Sequence, residues 1–190
     1  SGQEQGVQIC YGQRGKGVGH IRDIAGVRVS RERGGRCEEN GVQGAIRLAR
    51  PFPNRHHPDF MKVQVLNNIF GGFFGSRLMS NIREDKGYTY GIHSYVQNHI
   101  HETAWMISTE AGRAVCEATI EETYKEMAIL RDELIDEEEL NLVRNFMMGS
   151  LLGDLDGPFQ IIARWKNYIL NNLTEQYFYN SIETIKTISA

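Results

Sequence analysis

Apolar and polar residues alternate in three parts of the chain, and this alternation predicts strands. In the segment VQGAIRLAR, residues 42–50, the apolar Ile46 and Leu48 are separated by one polar residue. A period of two residues is typical of a strand with one buried face. Residues 88–96 and 103–109 predict two further strands, an antiparallel pair joined by the polar segment QNHIHE.

Helical spacing predicts two short helices between the first strand and this pair. Pro58 and Asp59 predict the start of the first helix. Its apolar positions recur every three or four residues and are Phe60, Val63, Leu66, Ile69 and Phe70. The two glycines that follow predict its end, and the second helix begins near Ser76 and stops at Gly87.

The remaining sequence predicts helices only. An apolar stripe over residues 112–133 is formed by Val115, Thr119, Met127 and Leu134. Asp136, with Glu139 three positions later, predicts a capping box at the start of the next helix. After the turn DGPF, a further helix is predicted over Phe159–Leu170, and Thr174 is the predicted cap of the last one. An antiparallel sheet covered by helices is therefore expected, which belongs to the α+β class.

The composition changes near residue 42. Residues 1–41 are rich in glycine and arginine and predict a linker or arm before a domain over residues 42–190. Gly15, Gly17 and Gly19 leave a phosphate-binding loop open as an alternative, although GQRGKGVG matches neither common phosphate-binding motif. Nucleic acid is not an expected partner, because the net charge is −3 and the basic segment lacks interleaved aromatic residues.

Neither a membrane span nor a disulfide framework is predicted. No run of apolar residues approaches the roughly 18 that a spanning helix needs. Cys10, Cys37 and Cys116 are odd in number and form no C-x-x-C pair. The first residues carry no signal-peptide pattern and no initiating Met, so the cell compartment stays unassigned.

The chain contains six histidines, and none of them forms a zinc-peptidase motif. Such a motif places two histidines on one turn of a helix with a glutamate, as H-E-x-x-H or the inverted H-x-x-E-H. The nearest match is HETAW, where Trp105 stands at the position of the second histidine. His56 and His57 lie in a proline-flanked turn, for which a loop is the simpler interpretation. No metal site is therefore predicted in this chain.

Four segments carry a specific pattern: VQGAIRLAR, DFMKVQVLNNIFGG, GSRLMSNIREDKGYTYGIHS and LIDEEELNLVRNFMMGSLLGDLDGPFQIIARW. Together they resemble the second, non-metal-binding domain of the insulinase/pitrilysin/mitochondrial-processing-peptidase family of zinc peptidases. The resemblance covers residues 42–188. The family would continue beyond the final TIKTISA with one more helix and an edge strand, so a domain shortened at its C-terminus is expected.

The resemblance implies both a fold and a division of labour. The fold is the LuxS/processing-peptidase-like metallohydrolase fold, of which this chain is one half-domain repeat. Two such halves enclose a chamber in this family. One half binds zinc through H-x-x-E-H and a further Glu, and the other contributes an arginine and a tyrosine. The family's spacing places that pair at Arg83 and Tyr90, with Tyr88 as the competing tyrosine.

Both residue types suit the hydrolysis of a peptide bond. Negative charge develops on the carbonyl oxygen, and a phenol such as that of Tyr90 can stabilise it by donating a hydrogen bond. Arg83 is expected to be both catalytic and substrate-binding, because a guanidinium can bind a carbonyl or a carboxylate of the substrate. The simpler interpretations are a surface ion pair for Arg83 and a core aromatic residue for Tyr90.

Three glycines are also substrate-binding candidates. Gly71, Gly72 and Gly75 precede Arg83 in a short loop. Without side chains, they would let the backbone of this loop pass close to a bound peptide.

The expected function follows from the resemblance. The chain is expected to be the non-catalytic half of a zinc metallopeptidase, which completes the active site and substrate chamber with a zinc-bearing sister domain or subunit. No cofactor is expected in this chain, zinc is expected in the partner, and peptides are the expected substrates. The chain alone is expected to be inactive. The alternative is a structural scaffold subunit of the same fold with no proteolytic role.

The histidine spacing generates a first prediction. Because no two histidines share a helix turn with a glutamate, the isolated chain should contain well under one zinc per chain. The measurement is elemental analysis of protein purified without added zinc and without a histidine tag. Stoichiometric zinc that is retained against a chelator would contradict the prediction.

Overall fold

An antiparallel sheet forms one layer of the molecule. The structure is a computed structural model and describes residues 43–99 and 103–189. Within these residues the strands are β1 (Gln43–Pro51), β2 (Thr89–Asn98) and β3 (Thr103–Gly112), in the order β1-β3-β2. The predicted antiparallel pair is thereby confirmed, and its second strand β3, at the centre of the sheet, also pairs with β1.

The sheet buries only one of its faces. Ile46 and Leu48 of β1 are buried, as their alternation predicts, and Arg47 between them is half-buried on the opposite face. The buried residues of β3 follow the same period, and so do those of β2 from Ile92 onward. The opposite face, here called the open face of the sheet, carries exposed or half-exposed residues that include His93, Tyr95, Met106, Ser108 and Glu110. An antiparallel sheet with one solvated face fits this pattern.

Helices cover the buried face, and the α+β class expected from the sequence is confirmed. Two segments have π-type hydrogen bonding, namely Asn68–Gly72 and Met79–Asp85. A short 3₁₀ turn, Arg113–Val115, leads into the second α-helix. The α-helices are α1 (Phe60–Asn67), α2 (Cys116–Asp132), α3 (Glu137–Gly153), α4 (Pro158–Leu170) and α5 (Glu175–Thr187). None of these helices is both long enough and apolar enough to span a bilayer.

Two clusters of buried apolar residues hold the layers together. The first cluster joins the sheet, the second π-helical segment and α2, and it includes Ile46, Leu48, Phe70, Leu78, Ile82, Ile92, Ile107 and Ile120. The second joins α1, α3 and α5 through Val65, Ile69, Leu140, Val143 and Ile185. Each cluster removes apolar surface from water, which is the main favourable term in folding.

Helix α1 lies between the two clusters, and this position changes its predicted apolar stripe. Val65 packs against α3 and α5, whereas Asn67, on another side of the helix, faces the sheet. The buried Asn67 side chain donates to the carbonyl oxygen of Ser94 at 3.2 Å and accepts from the Trp105 indole at 2.8 Å. The predicted core position Leu66 is 40% exposed, because two other sides of the helix are already covered.

The predicted capping box at Asp136 forms only in part. The Asp136 side chain accepts a hydrogen bond from the backbone N–H of Glu138 at 3.1 Å. Glu139 does not complete the box, because both of its carboxylate oxygens accept from Arg77, at 2.7 and 2.6 Å. These hydrogen bonds raise the pKa of Arg77 and tie the start of α3 to the segment that carries the candidate site. Leu134, the last residue of the predicted stripe, is exposed because α2 ends at Asp132.

Helix α3 offers a matched pair of leucines that tests the second cluster. Leu140 is 1% exposed, whereas Leu142, two residues later on the same helix, is 52% exposed. Leu140→Ala should lower the free energy of unfolding by about 2–5 kcal/mol, because it leaves a cavity in the core. Leu142→Ala should change it by less than about 0.5 kcal/mol. The measurement is urea denaturation of both variants, and equal losses would contradict the assignment of Leu140 to the core.

Candidate active-site surface

Arg83 lies near the end of the second π-helical segment. The preceding residue, Ile82, is completely buried, and Gly87 ends the segment with a φ of +63°. The backbone N–H of Gly87 donates to the carbonyl oxygen of Arg83 at 3.1 Å. A left-handed residue is needed at this turn, which explains why glycine stands there. The predicted stop at Gly87 is therefore confirmed.

Tyr90 lies in a β-bulge at the start of β2. Thr89 pairs with Ala111 and Ile92 pairs with Thr109, so two residues of β2, Tyr90 and Gly91, lie opposite a single residue of β3. In a regular strand Tyr90 would share the buried face of Ile92, because the two are two positions apart. The extra residue reverses this orientation, and Tyr90 is 91% exposed.

Two threonine hydroxyls hold the bulge in place. The Thr89 hydroxyl lies 2.6 Å from the carbonyl oxygen of Glu110 and 2.8 Å from the Thr109 hydroxyl. Thr109 donates to the carbonyl oxygen of Gly91 at 2.9 Å, and the N–H of Gly91 donates to the Thr89 hydroxyl at 3.2 Å. The threonines are buried, so their hydroxyls replace ladder hydrogen bonds that the bulge interrupts.

The fold brings Arg83 and Tyr90 together. The guanidinium carbon Cζ of Arg83 lies 5.6 Å from the centre of the Tyr90 ring. Tyr88, the competing tyrosine, is half-buried and packs against the first cluster. Tyr90 is therefore the tyrosine that contacts Arg83, and the simpler interpretation of Tyr90 as a core aromatic residue is wrong.

Arg83 also has an acidic neighbour. Its Nη1 atom donates to a carboxylate oxygen of Glu84 at 3.1 Å. Glu84 is half-exposed and adjacent in sequence, so water screens this pair strongly and its contribution to stability is small. The ion pair does not prevent the guanidinium from contacting the Tyr90 ring.

The three candidate glycines occupy different environments. Gly71 is buried, and a Cβ atom there would lie 2.8 Å from the backbone nitrogen of Ser94. A side chain at position 71 would therefore clash with β2, which explains why this residue is glycine. A Cβ atom at Gly72 would lie 2.6 Å from the side-chain oxygen of Asn68, and Gly72 is half-buried. Gly75 is exposed and leaves room for the ring of Phe73.

The two phenylalanines between these glycines point in different directions. Phe73 stacks on Phe146 of α3, with ring centres 4.6 Å apart. Phe74 is 63% exposed, and the Cζ atom of Arg83 lies 4.6 Å from its ring centre. Arg83 therefore contacts two exposed aromatic rings, Phe74 and Tyr90. The sequence does not predict this contact of Phe74, because GGFFG does not indicate which of its two phenylalanines packs on α3.

The part of the chain that the structure describes does not offer a metal site. In residues 43–99 and 103–189, no three His, Cys, Asp or Glu side chains lie close enough to hold an ion. His93 is exposed on the open face of the sheet, and His56 and His57 are exposed in a turn. The described residues thus do not fit a zinc ion, and the candidate chemistry of this surface belongs to Arg83 and Tyr90.

Comparison with known proteins identifies the family. Residues 14–147 match the family described as the peptidase M16 inactive domain. The chain belongs to this family. The match confirms the resemblance to the non-metal-binding domain of insulinase-type zinc peptidases. The chain is also 32% identical over 120 residues to the uncharacterized zinc protease YmxG of Bacillus subtilis (strain 168). That alignment covers 60% of this chain and 28% of the relative.

Solved structures of M16 inactive domains share this fold. The peptidase M16 inactive domain from Pseudomonas fluorescens is 25% identical, with a TM-score of 0.72 over 78% of this chain and 36% of that one. The inactive peptidase domain of a zinc protease from Bordetella parapertussis is 13% identical, with a TM-score of 0.68 over 78% of this chain and 81% of that one. The second likeness concerns the fold alone. The chain spans only about a third of the Pseudomonas structure and less of the Bacillus relative.

The threonine pair at the bulge generates a prediction. Thr109→Val keeps the side-chain volume but removes one of two hydroxyls that donate to the carbonyl oxygen of Gly91, the other being that of Thr89 at 3.0 Å. The free energy of unfolding should fall by about 0.5–1.5 kcal/mol, as expected for the loss of one hydrogen bond. Thr109→Ser, which keeps the hydroxyl, is the control, and urea denaturation is the measurement. A Thr109→Val variant as stable as the parent would show that the hydroxyl does not hold the bulge.

Proposed function

We propose that this chain is the non-catalytic half of a zinc metallopeptidase. It completes the active site and the substrate chamber together with a partner domain or subunit that bears H-x-x-E-H. The observation that supports the proposal most strongly is the contact between Arg83 and the exposed ring of Tyr90, 5.6 Å from Cζ to ring centre. The two residues come from different elements, and the resemblance of the sequence to the family implies that both act in one active site.

Tyr90 has the role of a hydrogen-bond donor to the reacting carbonyl. When a peptide bond is hydrolysed, negative charge develops on the carbonyl oxygen. A phenolic O–H that reaches this oxygen stabilises the transition state more than the ground state, and such a donor raises the rate. The 91% exposure of Tyr90 leaves its hydroxyl accessible to a group that approaches from outside the chain.

Arg83 has the role of holding the substrate. Its guanidinium presents several N–H donors in one plane, which suits a main-chain carbonyl or a carboxylate. The positive charge acts before the oxyanion forms, so Arg83 contributes to substrate binding as well as to the rate. The substrates are peptides, and Gly72 and Gly75 of the neighbouring loop have no side chain that would keep an extended peptide away from the backbone.

The partner supplies the metal in this proposal. The described residues hold no group of side chains fit for zinc, and the relative in Bacillus subtilis is named a zinc protease. A chain of this kind is inactive alone and acts when the zinc-bearing half is present. The scaffold interpretation does not require an arginine in contact with an exposed tyrosine. The following experiment distinguishes the scaffold interpretation from the proposed role in peptide hydrolysis.

Substitution of Tyr90 tests the proposal in the pair reconstituted with its zinc-bearing half. Tyr90→Phe deletes one hydroxyl and keeps the ring, so the melting temperature should stay unchanged while kcat falls by about 10²–10³-fold. Arg83→Ala should lower kcat/KM with a larger share in KM. The measurement is a peptidase assay accompanied by a thermal melt of each variant.

Tyr88→Phe is the matched control, because it removes the same atom from a tyrosine that packs on the core. It should leave kcat/KM unchanged. Loss of activity in Tyr88→Phe but not in Tyr90→Phe would overturn the assignment of the tyrosine. Undiminished cleavage in Tyr90→Phe and in Arg83→Ala would support the scaffold interpretation instead.

A further inference from the structure

Phe74 is exposed, whereas the phenylalanine before it is half-buried. The Phe74 ring is 63% exposed, although burying a phenylalanine ring would stabilise a fold by roughly 1.5–3 kcal/mol. Phe73, the adjacent phenylalanine, is half-buried, stacks on Phe146 and packs against the second cluster. One ring of the pair is therefore held against α3, and the other lies at the surface beside Arg83.

The local backbone explains how the two rings separate. Phe73 has extended backbone angles, φ −152° and ψ 177°, and successive side chains of an extended chain point to opposite sides. The stacking of Phe73 on Phe146 fixes one side of the loop to α3. The backbone at Gly71 is packed against Ser94 of β2. Held at both points, the loop directs Phe74 toward the C-terminal part of the second π-helical segment, where Arg83 lies.

We propose that Phe74 is a positioning residue for Arg83. This inference rests on the proposed function, because it assumes that the Arg83 guanidinium acts on the substrate. The Cζ atom of Arg83 lies 4.6 Å from the centre of the Phe74 ring and 5.6 Å from that of Tyr90. Both distances are within the roughly 6 Å at which a cation is attracted to the face of an aromatic ring.

Contact with two rings orients a guanidinium without occupying its donors. A ring face attracts the cation through its quadrupole, and the N–H groups stay in the guanidinium plane. An ion pair such as that with Glu84 has the opposite effect, since the carboxylate takes up donors directly. Phe74 thus restricts the motion of Arg83 and keeps N–H donors for the substrate, which reduces the loss of side-chain freedom on binding.

Two substitutions of Phe74 test whether its aromatic ring, and not merely an apolar side chain, is required. Phe74→Leu keeps an apolar side chain but removes the ring face, whereas Phe74→Tyr keeps the ring. Since the position is exposed, neither change should alter the melting temperature. In the pair reconstituted with its zinc-bearing half, Phe74→Leu should lower kcat/KM by about three- to tenfold, mainly through KM. Phe74→Tyr should keep kcat/KM at the value of the parent pair.

A double-mutant cycle tests whether Phe74 acts through Arg83. In the Arg83→Ala background, Phe74→Leu should cause no further loss of kcat/KM, because the group it positions is absent. A further loss in that background would mean that Phe74 contacts the substrate itself, and it would overturn the inference. Unchanged cleavage in Arg83→Ala alone would overturn the proposed function, and with it the role assigned to Phe74.

An NMR experiment on this chain alone tests the contact without any catalysis. The rings of Phe74 and Tyr90 should both shift the side-chain proton signals of Arg83 upfield. Phe74→Leu should remove the contribution of Phe74 and move these signals downfield, whereas Phe74→Tyr should keep it. Identical Arg83 signals in the parent chain and in Phe74→Leu would overturn the inference. Loss of the Phe74 contribution together with unchanged kcat/KM in Phe74→Leu would overturn it as well, and would leave the proposed function intact.

Discussion

Burial of Ile82 against the sheet determines where the candidate site lies. Ile82 comes from the second π-helical segment and Ile92 from β2, and both are completely buried in the same cluster. Arg83 follows the first isoleucine and Tyr90 precedes the second by two residues. Packing the isoleucines together therefore brings Arg83 and Tyr90 to one surface. A contact that stabilises the core also sets the distance between two polar residues, because a close-packed interior leaves little room for adjustment.

The β-bulge supplies the direction that core packing alone does not. Without the extra residue, Tyr90 would point to the side of Ile92 and compete for space in the core. With it, Thr89 turns inward and meets Thr109, and Tyr90 turns outward. The two buried threonines satisfy carbonyl groups that the irregular strand would otherwise leave without partners. Exposure of one tyrosine thus depends on a polar pair in the layer beneath it.

The periodicity of apolar residues predicts most elements of this fold. It fails for residues whose burial or partners depend on contacts with distant parts of the chain. The sheet strands follow from alternation, because each has one buried and one open face. The prediction that Leu66 belongs to the buried face of its helix is wrong. Two sides of α1 are covered, so its buried residues do not form one apolar stripe. The prediction that Glu139 completes a capping box fails for a different reason: both of its carboxylate oxygens accept hydrogen bonds from Arg77, which is distant in sequence.

The candidate site too could be predicted from the sequence only in part, because some of its contacts depend on the tertiary fold. Exposure alone does not single out Tyr90, because Phe159 and Leu134 are also exposed, at 82% and 85%. Tyr90 differs from these residues because its ring contacts the guanidinium of Arg83, which also contacts the ring of Phe74. A family resemblance could assign Arg83 and Tyr90 by their spacing, but no spacing assigns Phe74, whose role depends on which of two adjacent rings α3 accepts. The physical signal is an aromatic pair between glycines, and only the contact of Phe73 with Phe146 decides which ring remains free to meet Arg83.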